Sequence, residues 1–131
     1  MRRHARTGTP WESAVGFARA VRVGQRVYVS GTTASDEHGR LAGGEDAEAQ
    51  ARYILSKIER ALRELGASLA DVVRTRIYVA NIDDWPAVGR AHHAVFGEVE
   101  PACTLVQVLG LVDGRLVEIE ADAELDADAS T

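Results

Sequence analysis

The sequence predicts an α+β domain in which one mixed β-sheet carries two helices on one face, the elements running βββαβαββ. Two periodicities carry this reading. Apolar residues at steps of four, four and three (Ile54, Ile58, Leu62, Leu65) mark a helix, and alternation of Val117, Ile119, Ala121 and Ala123 with Glu118, Glu120 and Asp122 marks a half-buried strand. No repeat or linker interrupts the series, and 131 residues suit a single core.

Residues 1–14, opening with the basic Met1-Arg2-Arg3-His4-Ala5-Arg6, read as a loose arm. Phe17 to Val23 gives a first strand, Gly24-Gln25 a turn, and Arg26 to Ser30 a second strand with Val27 and Val29 on one face; Gly31 permits a bend. The turn Asp36-Glu37-His38-Gly39 leads to a short edge strand at residues 40–42 and to Gly43-Gly44. A helix follows from about Glu45 to Leu65, with Gly66 as its C-terminal cap, and Ser68 with Asp71 has capping-box spacing for a short helical turn. Val72 to Ala80 alternates as a strand. Asp83-Asp84-Trp85-Pro86 opens a second helix whose inner side takes Trp85, Val88, His92, Val95 and Phe96 before Gly97 stops it. Pro101–Val108 and Leu116–Ala123 are the last strands, and the turn Val112-Asp113-Gly114-Arg115 predicts a hairpin between them. The domain is placed at 15–125, with an acidic tail at 126–131.

Hydrophobic content of 46% and charged content of 27% suit a folded domain, and no apolar run reaches the roughly 20 residues of a membrane span. With no leader pattern after the basic start, a cytoplasmic location is expected. A single cysteine excludes an internal disulfide, and no Cys/His spacing offers a zinc site. The net charge of -5 and scattered basic residues argue against nucleic acid as a partner.

Val27-Tyr28-Val29-Ser30-Gly31, Ile77-Tyr78-Val79, Phe96 before Pro101-Ala102, and Val117-Glu118-Ile119-Glu120-Ala121 together resemble the YjgF/RidA family, also called L-PSP endoribonuclease-like. The resemblance runs from about Val15 to Ala123 and implies a chorismate-mutase-like fold, a homotrimer, and ligand clefts between neighbouring subunits. Deaminating relatives hydrolyse reactive imines and enamines without metal or other cofactor. In them an arginine holds the substrate carboxylate, a tyrosine closes the pocket, a glycine offers a backbone contact and a glutamate activates water. Carried across, these become Cys103, Phe17, Gly31 and Glu118, so the guanidinium and the phenol are both missing. The asparagine many relatives carry early in the second helix is Gly89.

Losing a charge-assisted hydrogen bond removes roughly 1.5 to 3 kcal/mol of grip on a carboxylate. The resemblance therefore implies a more apolar pocket, with Glu118 as general acid or base and Phe17, Gly31, Cys103 and Leu105 as binding residues. Glu118 competes with a plainer role in a carboxylate row with Glu120 and Asp122, paired across the sheet to Arg74 and Arg76. Cys103 reads as pocket wall, as inert filler, or as a nucleophile with His92 as its partner. Arg19 and Arg90 remain as other anion anchors. Three functions stay open: a trimeric protein that binds, and in the enzymatic version hydrolyses, a small imine or enamine; a non-catalytic metabolite-sensing or partner-stabilising module; and, least supported, an endoribonuclease.

Overall fold

The computed structural model describes residues 1–126. Its strands are β1 (Arg2–Ala5), β2 (Ala20–Val23), β3 (Arg26–Thr33), β4 (Val72–Val79), β5 (Ala102–Gln107) and β6 (Val117–Glu124), and its helices α1 (Pro10–Val15), α2 (Ala47–Glu64) and α3 (Trp85–Phe96). They form one sheet in the order β1-β2-β3-β6-β4-β5. Only the β4–β5 pair is parallel.

The long helix forms where the apolar stripe predicts it. Asp46 caps its start by accepting the Ala49 amide hydrogen at 2.9 Å, and Gly66 follows its end at φ +83°, a conformation a Cβ would strain. Ile54, Ile58 and Leu62 face the sheet and are fully buried against Ile77, Val79, Val117, Ile119 and Ala121. Removing the Ile58 side chain beyond Cβ is therefore expected to cost about 2–5 kcal/mol, because neighbouring elements collapse only partly into the space. Urea unfolding of Ile58→Ala measures that loss.

Five expectations need correction. Residues 1–14 are no loose arm: β1 pairs along β2 from Arg2↔Val23 to Ala5↔Ala20, and α1 follows, with Ala5 buried. The first strand predicted at Phe17 starts only at Ala20, and the edge strand at 40–42 reduces to the single bridge Ser35↔Leu41. Trp85, expected inside, is 57% exposed at the first turn of α3, where Val88, Ala91 and Phe96 do the packing. The predicted β5–β6 hairpin does not exist. β6 lies between β3 and β4, where its apolar side is covered along its length, whereas the largely exposed β5 takes the edge through a β4-α3-β5 crossover. The acidic tail lies outside the described residues apart from Asp126. Among those described, no helix is long and apolar enough to cross a membrane.

Candidate functional site

β6 sends Glu118, Glu120 and Asp122 to the side of the sheet away from α2 and α3, and the three have different surroundings. Glu120 accepts the Tyr78 hydroxyl at 2.6 Å, and Arg76 lies 3.7 Å from Glu120 and 3.3 Å from Asp122. Glu118 has no such partner. Its carboxylate accepts no hydrogen bond among the described residues and instead borders a cavity of about 210 Å³.

The cavity forms because β3 is irregular. Its register against β6 shifts between Val29 and Thr32, and Gly31 lies in that bulge. A Cβ on Gly31 would stand 2.0 Å from a Glu118 carboxylate oxygen, so any larger residue would have to push this side chain from its place. Trp11 and Val15 of α1, Phe17, and Val112 from the turn before β6 supply an apolar wall. Burial raises the Glu118 carboxyl above its usual range; Arg19 opposes the shift and Glu120 adds to it.

Arg19 is the cation closest to this chemistry, and it is occupied. The residue is 3% exposed, and its guanidinium donates to the Gly31 carbonyl at 2.6 Å and the Thr32 hydroxyl at 3.0 Å and lies 3.4 Å from a Glu12 carboxylate oxygen. The Phe17 ring covers it, with the guanidinium carbon 5.4 Å from the ring centre. Burial alone would raise the Glu12 carboxyl, but hydrogen bonds from Thr7 and Thr9 together with the Arg19 charge bring it down to about 2. Among the fully buried side-chain nitrogens and oxygens of the described residues, only Nε of Arg19 lacks a hydrogen-bond partner.

Residues 8–125 match the profile of the endoribonuclease L-PSP family. The chain belongs to that family. A Mycobacterium tuberculosis member of the YjgF/YER057c/UK114 family has a crystal structure 48% identical in sequence, with a TM-score of 0.87 over 95% of this chain and 100% of that one. An uncharacterized protein of Streptomyces coelicolor is 42% identical over 92% of this chain and 90% of its own length. A RutC family protein of Pyrococcus abyssi is 33% identical over 82% and 84%. The chorismate-mutase-like fold expected from the sequence is the fold of these L-PSP neighbours.

Within this L-PSP chain, the structure brings Phe17, Gly31 and Glu118 to one cavity and leaves Cys103 and Leu105 elsewhere. Cys103 is aligned with Thr75 and Leu105 with Ile77, both on the helix side of β4, whereas Glu118 is aligned with Tyr78 on the opposite side. Cys103 is exposed and Leu105 packs partly against the core. His92 accepts or donates at 2.9 Å to the Thr75 hydroxyl and lies 4.7 Å from the Phe96 ring, and burial lowers its pKa, so it serves as a packed histidine. Arg90 pairs with Glu48 at 3.1 Å on the surface and Gly89 faces the Trp85 ring, so neither borders the cavity. Among the described residues, no group of three His, Cys, Asp or Glu could hold a metal ion.

Sequence reasoning left Trp11 and Glu12 in the N-terminal arm, gave Val15 no role at the site and gave Arg19 only a minor one. A signal was present: Thr9 and Glu12 form a capping box with Pro10 in the first turn, and that pattern announces α1 and its inward carboxylate.

Proposed function

We propose that this protein binds a small imine, enamine or related electrophile in the cavity beside Glu118 and hydrolyses it without needing a substrate carboxylate. What supports this reading is a single arrangement: a half-buried carboxylate, free of the pairing that engages Glu120 and Asp122, facing an apolar wall while the one adjacent guanidinium is already bound to Glu12 and Gly31. Ionised Glu118 takes a proton from water as its oxygen attacks the imine carbon. It then passes the proton to nitrogen, and collapse of the carbinolamine expels ammonia and leaves a carbonyl product. Phe17 and Trp11 shield the site, which keeps the Glu118 carboxyl easy to protonate.

The reading includes a cytoplasmic homotrimer. Its support is the helix-free face and outer edge of the sheet, where Tyr28 and Val106 are each 41% exposed. In such an assembly Cys103 and Leu105 on the edge strand of one copy would wall the Glu118 cavity of the next.

Ammonia release from a panel of imines generated in solution, with and without a carboxylate, tests the proposal. Turnover of a carboxylate-free member that persists in Cys103→Ser supports it; no turnover of any member contradicts it. One observation favours a second reading, a non-catalytic binding module: among the described residues, no unengaged cation borders the cavity to orient a substrate. That module would show saturable thermal stabilisation by a ligand with no product formed.

A further inference from the structure

Fourteen of the fifteen Lys and Arg residues are arginine, and Lys57 is the only lysine in the chain. It is also buried, at 5% exposure, on the inner side of α2. Its ammonium donates to the Ser35 carbonyl at 2.7 Å and makes no ion pair with a carboxylate among the described residues. A compact amine on a flexible stem has a readily lowered pKa and acts as a nucleophile once neutral, whereas an arginine at this position would stay charged. Burial, assisted by Arg19 and Arg60 and opposed by Glu12 and Asp36, brings Lys57 down to about 8.

The side chain borders a second cavity of about 260 Å³, with no lining residue in common with the Glu118 cavity. Tyr53, one turn earlier on α2, puts a phenol into it, and Arg6 and Arg60 stand at its wall without ion pairs among the described residues. Three acids also face it. Asp36 is engaged by the backbone amides of His38 and Arg40, Glu37 lies 3.7 Å from His38, and Glu64 is exposed.

We propose that Lys57 is a nucleophilic amine and that this cavity takes a small oxo acid, an aldehyde or ketone carrying a carboxylate, as a Schiff base. The nitrogen lone pair attacks the carbonyl carbon to give a carbinolamine. The former carbonyl oxygen then leaves as water, carrying both amine hydrogens, and a carbon–nitrogen double bond remains. Tyr53 supplies the nearby hydroxyl through which these protons move, and Arg60 with Arg6 holds the carboxylate. No oxidant or reductant is required.

The test is reductive trapping on the full, folded chain with glyoxylate and cyanoborohydride, followed by peptide mass mapping. The amino terminus is the other primary amine and serves as an internal comparator. Adduct at Lys57 is expected to form about tenfold faster than at the amino terminus, and the charge contact should make it about tenfold slower in Arg60→Ala. Glyoxylate should outpace propanal, and the Lys57 rate should rise with pH through a midpoint near 8. Adduct confined to the amino terminus, or equal reaction of glyoxylate and propanal at Lys57, overturns the proposal. Because the decisive comparison uses the unaltered chain, a poorly folding Lys57 variant would not obscure it.

Discussion

Glu118→Gln is expected to lower imine hydrolysis by about 10²-fold or more, the range lost with a positioned acid–base group, while the protein stays as stable as before or becomes slightly more so. The stability sign follows from burial. The folded-state carboxyl is raised above its ordinary 4.5, so the charged form weakens the fold as pH rises through that raised value, and a neutral isostere escapes the effect. The proposed activity depends on the opposite form. The rate should fall on acidification at a pH above the ordinary carboxylate range, because the base must be ionised to take a proton from water. Steady-state rates across pH, with thermal melts of both proteins at neutral pH, check both limbs. A clearly destabilised glutamine variant would mean that Glu118 holds the sheet together instead.

Glu12→Gln should have the largest effect on stability, about 3–5 kcal/mol, because it leaves the buried Arg19 guanidinium without its counter-charge. The native carboxyl titrates at about 2 against an ordinary 4.5, so its contribution is fully present above 4.5 and is lost as pH falls from there through about 2. Urea unfolding at neutral and acidic pH should show wild type and variant converging on acidification. A neutral-pH difference under about 1 kcal/mol would assign the pair a surface-like weight. The consequences reach the cavity, since Glu12 also fastens α1, which carries Trp11 and Val15.

Elements with several turns or several alternations were legible from the sequence, because burial imposes a period on them: α2, β3, β4 and β6 follow their apolar residues closely. β1 and α1 are only four and six residues long and show no period; they are ordered by the β2 ladder and the Thr7–Glu12–Arg19 contacts, which are tertiary. The hairpin expectation failed for a related reason. A turn between two strands limits their separation along the chain, but sheet order depends on which strand has both edges and one face covered, and that strand is β6. At the site, periodicity showed Glu118 only as one acid in a row of three and the family resemblance alone singled it out; in the structure Tyr78 and Arg76 engage the other two. Arg19 read only as an alternative anion anchor until the fold placed Glu12 against it.

The proposed working site is the apolar, carboxylate-independent cavity around Glu118. The most direct measurement is the ratio of ammonia release from a carboxylate-free imine to that from 2-iminopropionate, taken with the unmodified protein and with Cys103→Arg. The unmodified protein should gain nothing from the substrate carboxylate, and arginine at position 103 should shift the ratio toward the acid by about one to two factors of ten. Preference of the unmodified protein for 2-iminopropionate, undiminished by any change at position 103, would contradict it.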